Sequence, residues 1–550
     1  MRKRHFLFAS VLALLCSSGA LHAQDFKLTS SGYFKNQGVD VMAFDDIYPE
    51  GHQGGVCIIM NGHRVATNGD IRLEATPGQW QPVPKQLDRK LGDNSITATL
   101  CYPDSSRHLT GFNPMIYPDL HLIYTVNVES KGKNIEVTVD LDRPIPQEFI
   151  GKVGFNLEFF PGSLFGKPWI MDGQSGIFPQ QPNSPLMTTQ PNYLHTGNYH
   201  DGKQSLADMD KLIGKGYSPI VADDIISEPY AKGRKFTSRP DDPYNKVTIE
   251  SLSGDLQLFD GRMNHNNGWF VLRSNIKPGV TKGAVKWIIT PNVVADWMYQ
   301  PVIQTSQIGY HPAQDKEAVI EMDIRDNRKE TAQIIRIDAD GEKVVKNVTP
   351  ANWGKFLRYN YLKVDFTDVK EPGLYKIKYD TSVSPIFRID NDVYARGVWQ
   401  PVLEYFLPVQ MCHMRVNEKY RVWHDCCHMD DAQMAPAHNH IDGYDQKEGL
   451  SKFKPGEVVP GVNIGGWHDA GDFDLRIESQ AGESYILALA YEAFHPNLDV
   501  TSIDQINRVT EIHQPDGKND LLQQVENGAL TVVNGYLALG RLYRGIICND

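Results

Sequence analysis

The chain has no excess of basic charge. Its 55 lysines and arginines are outnumbered by 67 aspartates and glutamates, for a formal net charge of −12. That balance repels nucleic acid and anionic membrane surfaces, and suits a neutral ligand. Beyond the first residues the chain has no apolar run long enough to cross a bilayer. It also has no internal repeat and no low-complexity tract, and no long helical period interrupts its first 300 residues. The composition that remains is ordinary for a globular protein: 41% hydrophobic, 10% aromatic and 22% charged. At 550 residues the chain exceeds one core, and length predicts roughly three or four domains.

Residues 1–23 read as a cleavable export signal. A basic head, Met1 to His5, precedes the short apolar stretch "FLFASVLALL", and "LHA" ending at Ala23 is a small-residue cut site. Bulky Leu15 before Cys16 argues against a lipid anchor there. The mature chain is expected to be secreted or periplasmic, with no membrane insertion; its oligomeric state is not legible. An oxidising compartment permits disulfides, and Cys57 with Cys101 is one candidate pair.

Residues 24–300 alternate in short runs broken by Gly, Pro and Asn. "KNIEVTVDLD" places Ile135, Val137, Val139 and Leu141 on one face, the period of a half-buried strand. "HLIYTVNVES" and "GWFVLRSNI" read the same way, which predicts a β-sandwich; the segment 180–245 reads as long loops on it. Trp80 and Trp169 are equally readable as core or as sugar platforms. Residues 301–390 form a second β unit: "AQIIRIDADGEKVV" contains the hairpin signal Asp340-Gly341, and the strand spacing fits an immunoglobulin-like sandwich. From residue 391 to 550 the texture becomes helical. "VYARGVWQPVLEYFLPVQMC" has helical spacing interrupted by Pro401 and Pro408. "SQAGESYILALAYEAF" reads as an amphipathic helix ending before Pro496, and a further helix follows Asn519 as N-cap.

Within that last segment, "VNIGGWHDAGDFDLR" sets Trp467 and His468 behind two glycines and ahead of the paired carboxylates Asp469 and Asp472. Three stretches together resemble family 9 glycoside hydrolases of the cellulase type. "VIQTSQIGYHP", with "PGLYKIKY" and "PIFRIDNDVY", resembles the immunoglobulin-like module preceding some cellulases. "CCHMDDA" resembles the Cys-His-x-Asp-Asp-Ala element just inside the catalytic domain, and "GGWHDAGD" resembles the Asp-Ala-Gly-Asp motif. The resemblance runs from about residue 301 to the end. It implies the first part of an (α/α)6 barrel and an endo-β-1,4-glucanase that inverts at the anomeric carbon. Inversion needs one carboxylate to activate water and a protonated carboxyl opposite it, about 6.5–9.5 Å away. By motif match Asp472 is the general base and Asp469 its partner on the same water; Gly471 lets the backbone bend so that both converge. Taken alone, the four residues also fit a turn that binds calcium or caps a helix. Trp467 is a candidate sugar platform or a core residue.

The resemblance also implies a structural zinc site. Cys412, Cys427, His428 and His468 match the ligand set of some immunoglobulin-bearing members, and two thiolates with two imidazoles make a four-coordinate set. A disulfide of Cys412 with Cys426 or Cys427, and a His468 that merely packs, stay open beside it. Asp430 and Asp431 are candidates to orient a ligand histidine or the active-site loop, or else helix-capping and solvent charges; Trp423 and His424, like Trp467, are candidate sugar contacts or core residues.

The family's general acid is a glutamate late in the barrel, and no glutamate in 473–550 has that context. The chain is therefore expected to lack the C-terminal part of the catalytic domain and to hydrolyse glucan weakly or not at all. The alternative is a non-catalytic glycan-binding protein with a vestigial catalytic segment; a third, a hydrolase using zinc directly, is weaker. Which β-glucan is the partner is not legible, nor is the role of 24–300.

Overall fold

The computed structural model describes residues 25–45, 54–73, 84–102, 122–183, 228–263, 269–441, 444–469 and 474–546. Residues 1–23, read above as an export signal, Trp80, and the stretch from Ala470 to Phe473 with Gly471 and Asp472 lie outside them. The chain divides into two compact units between Met298 and Tyr299.

The first unit is a sandwich of two nine-stranded sheets sharing one core. Strand Asn134–Leu141 alternates as its sequence does, with Ile135, Val137, Val139 and Leu141 all buried because successive side chains point to opposite faces. Its neighbours are Ile123–Lys131 and Val285–Pro291, both antiparallel. Trp169 is a core residue. Cys57 and Cys101, expected as a disulfide, remain thiols in strands of different sheets. The Cys57 thiol instead donates to the Gly54 carbonyl at 3.1 Å and lies 3.2 Å from the Thr67 hydroxyl. Strand Val153–Phe159 is buried along its whole length, so its polar members need partners. Asn156 accepts from buried Arg273 at 2.7 Å, and Glu158 accepts from Asn68 at 2.6 Å. The short strand patterns gave no hint of these polar pairs.

The second unit begins with the immunoglobulin-like sandwich. One sheet runs Val302–Gln304, Glu317–Asp323, Tyr359–Asp365, Ala351–Phe356; the other is built on Gly341–Val348, Ala332–Asp338 and Gly373–Tyr379. The Asp340-Gly341 signal closes its hairpin, with Asp338 opposite Gly341. Tyr310, from the "IGYHP" stretch, packs edge-on against Phe366 and Phe387 at 5.1 and 5.3 Å between ring centroids, so that residue builds core.

The last segment is less helical than its texture predicts. Its described helices are a π-turn, Val402–Phe406, running into α1 (Leu407–Gln410), then α2 (Ile477–Phe494) and α3 (Asp520–Leu539). Between them lies a four-stranded sheet in the order Arg421–His424, Arg415–Glu418, Val509–Ile512, Thr501–Asp504, whose middle pair is parallel. Asn519 caps α3 as expected, accepting from the Leu521 and Leu522 amides. Helix α2 departs from the amphipathic expectation. Leu487, Ala490 and Tyr491 pack inward, while Tyr485, Ile486, Leu489 and Phe494 are exposed.

A Cys2His2 cluster beside the acidic loop

Two short segments meet to build the site. Residues 410–412, leaving α1, pair antiparallel with 466–468: the Cys412 amide donates to the Gly466 carbonyl and the His468 amide to the Gln410 carbonyl, each at 2.8 Å, around a Met411–Trp467 bridge. Gly465 and Gly466 both hold positive φ, +73° and +90°. A Cβ on Gly465 would lie 2.3 Å from the Asn527 carbonyl oxygen, so only glycine lets the loop pass α3 this closely. Buried amide side chains on the two long helices then grip it. Gln480 bonds both main-chain groups of Trp467 at 2.7 and 2.9 Å, and Asn527 donates to the Gly466 carbonyl at 3.0 Å. Sequence reading missed these amides; polar residues at inward helical positions, as in "LLQQVEN", were the signal available.

This pairing brings the four cysteine and histidine candidates together. The donor atoms of Cys412, Cys427, His428 and His468 all lie within 4.8 Å of one another. The Cys412 Sγ is 2.8 Å from His428 Nδ1 and 3.5 Å from Cys427 Sγ, and Cys427 Sγ is 3.1 Å from His468 Nε2. Tetrahedral zinc with Zn–S near 2.3 Å and Zn–N near 2.0 Å would separate its ligand atoms by about 3.3–3.8 Å, close to this spacing. The residues present fit the metal. Sulfur and nitrogen donors suit zinc and not calcium, which takes oxygens. Among the described residues no disulfide competes: Cys412, Cys426 and Cys427 are thiols. The Cys412 thiol, then the His428 and His468 imidazoles, hold the Cys427 thiol far below its usual range against the opposing effect of burial, a direction that favours the metal-binding form.

Asp469 follows directly. It is exposed; its Oδ1 accepts from the Ser479 hydroxyl at 2.7 Å, and its Oδ2 lies 3.3 Å from Arg476 Nε. Arg476 also pairs with buried Asp474 at 2.7 Å. Partial desolvation, then the Asp469 charge, raise Glu483 above the usual carboxylate range. Of the two readings of Trp467 the structure takes the core one: it is 1% exposed and its indole N–H donates to Gln524 at 2.8 Å, leaving no face for a sugar. Asp430 and Asp431 act locally, their main-chain carbonyls accepting from Gln433. Trp423 lies under the Arg421 guanidinium, 4.7 Å from its ring centroid. His424 Nε2 lies 3.0 Å from the Val409 carbonyl.

Residues 298–384 match the family model of the cellulase N-terminal ig-like domain. No curated protein matches the chain. Among solved structures, a metagenome-derived glycoside hydrolase family 9 endoglucanase is 24% identical over 44% of this chain and 42% of its own, with a TM-score of 0.34. A Bacteroides ovatus GH9 is 19% identical over 44% and 41%, TM-score 0.33. A Zn-binding triple mutant of a family 9 endoglucanase is 23% identical over 41% and 38%, TM-score 0.31. The chain thus spans less than half the length of the solved structures it resembles. No helix among the described residues is long and apolar enough to cross a membrane.

Proposed function

We propose that this exported chain serves inverting hydrolysis of β-1,4-linked glucan, with Asp472 as general base and Asp469 as its partner, on a loop that belongs to an (α/α)6 catalytic domain. The observation carrying the reading is that His468, one residue before Asp469, stands among the donors of the Cys2His2 cluster, so the acidic loop starts from a fixed point. Cys412, Cys427, His428 and His468 hold zinc, which when bound supplies a structural cross-link and no reacting group.

Asp472 takes a proton from water as the water oxygen bonds to the anomeric carbon and the glycosidic bond breaks; a protonated carboxyl opposite donates to the leaving oxygen. Asp469 orients the same water, its own carboxylate aimed by Ser479 and Arg476. The acid is not assigned to any residue of this chain. Assay of the expressed protein on soluble β-1,4-glucans tests the reading. Assayed in a protein that also carries the barrel's acid, Asp472→Ala should cut reducing-sugar release by roughly 10²–10⁴ with glucan binding retained. Parent-level release by D472A sinks the assignment.

A second reading, glycan binding without turnover, has one observation behind it. On the immunoglobulin-like sheet Trp353 is 57% exposed and meets Tyr361 edge-on at 5.7 Å, where a bulge between Asn352 and Gly354 interrupts the register. Retained glucan affinity with no turnover in parent and D472A alike would favour it.

A further inference from the structure

We propose that His413 is a positioning residue of the metal centre, fastening the loop that carries His468 to the segments that carry Cys412 and Cys427. The inference rests on the zinc reading above. His413 is 0% exposed and holds φ +62°, a left-handed backbone that a non-glycine residue keeps only where its surroundings over-determine it.

Both ends of His413 are committed. Its backbone N–H donates to Cys427 Sγ at 3.4 Å, a bond that favours the thiolate. Its Nδ1 lies 2.7 Å from the Gly465 carbonyl oxygen. A carbonyl can only accept, so Nδ1 carries the donated proton. The other nitrogen, Nε2, is buried with no hydrogen-bond partner among the described residues.

The geometry explains the need. The main-chain ladder between 410–412 and 466–468 has its outer hydrogen bonds at Cys412–Gly466 and His468–Gln410. The imidazole adds a further rung beyond Cys412, to the carbonyl of Gly465, a residue packed close against the Asn527 backbone. Without that rung, the pairing of Cys412 with the loop carrying His468 would rest on the two main-chain bonds alone, and the residue that donates its backbone N–H to Cys427 would lose its side-chain anchor. Partners of this kind orient metal ligands and tune their affinity.

Zinc alone, titrated into the full chain against a chromophoric chelator, with cobalt loading for the visible spectrum, tests this. The parent should bind one ion. His413→Ala should bind zinc roughly 10–100-fold more weakly with shifted cobalt bands. His413→Asn, which tolerates left-handed backbone and keeps a side-chain N–H for Gly465, should recover most of the affinity. Parent-like affinity and spectrum in H413A overturn the inference and leave the zinc reading standing, even if the metal-free chain melts earlier. A parent that binds no zinc overturns both. If H413A does not fold, H413N is compared with His413→Leu, which keeps bulk but has no donor: tighter binding by H413N supports the inference, and equal affinity overturns it.

Discussion

The Nε2 atom of His468 lies 3.1 Å from the Sγ of Cys427, across 41 residues of sequence. That contact joins the turn after Asp425 to the loop bearing Asp469, two segments that no local pattern relates. It gives the acidic loop a cross-link independent of the long helices.

Metal removal should therefore act on one unit. At zinc 100-fold above its dissociation constant a single site stabilises by about 2.7 kcal/mol. For a unit of this size that is roughly 5–10 °C of melting temperature. Calorimetry with and without a chelator should show the transition of the 299–550 unit falling and that of the sandwich unmoved. The same shift should appear in Cys427→Ser without chelator; a transition indifferent to both treatments would remove the structural-metal reading.

Trp467 should behave as core. Truncation to Ala should cost about 3–5 kcal/mol, read from urea midpoints. Gly528 reports on the same packing from α3: a Cβ there would lie 2.4 Å from the Trp467 ring, so Gly528→Ala should cost about 1–3 kcal/mol by overpacking. A Trp467→Phe protein that stays as stable as the parent yet loses glucan affinity would restore the platform role.

Asp70 gives the sandwich a pH signature. It is buried, accepts from the Tyr124 hydroxyl at 2.9 Å, and burial pushes its pKa up to about 6 despite nearby Arg72. The protonated form is thus favoured on folding: its full benefit is present below pH ~4 and is lost as pH rises through about 6. The sandwich should lose roughly 3 kcal/mol between those limits on account of this group, and Asp70→Asn should flatten that part of the profile. Parallel profiles for parent and variant would contradict the assignment.

Trp353→Ala separates the two functional readings. Stability should change little, because the indole is mostly solvent-facing. If the immunoglobulin-like unit binds glycan, retention on insoluble β-glucan should fall several-fold, consistent with loss of an aromatic contact of about 1 kcal/mol. Unchanged retention returns Trp353 to an ordinary surface residue.

Much of this molecule was legible where physics is local. Side chains alternate along a strand whatever lies nearby, so the run at Ile135–Leu141 declared its buried face. The Asp340-Gly341 hairpin and the Asn519 cap likewise follow from the backbone preferences of a few residues. The pattern misled where a local period had no single outcome. The helix at 477–494 carries apolar residues around its circumference, and the hairpin at 501–512 hid in a stretch read as helical.

Sequence by itself determined the sandwich strands and the hairpin of the immunoglobulin-like unit, because strand period and turn chemistry are properties of residues or short runs; the candidate ligands came from the family resemblance. Tertiary structure alone decided that Cys412, Cys427, His428 and His468 converge, that Trp467 points inward, and that Gln480, Gln524 and Asn527 hold the loop. Those outcomes depend on segments distant in sequence packing together, and the free energy that selects them belongs to the assembled contacts rather than to any stretch of chain.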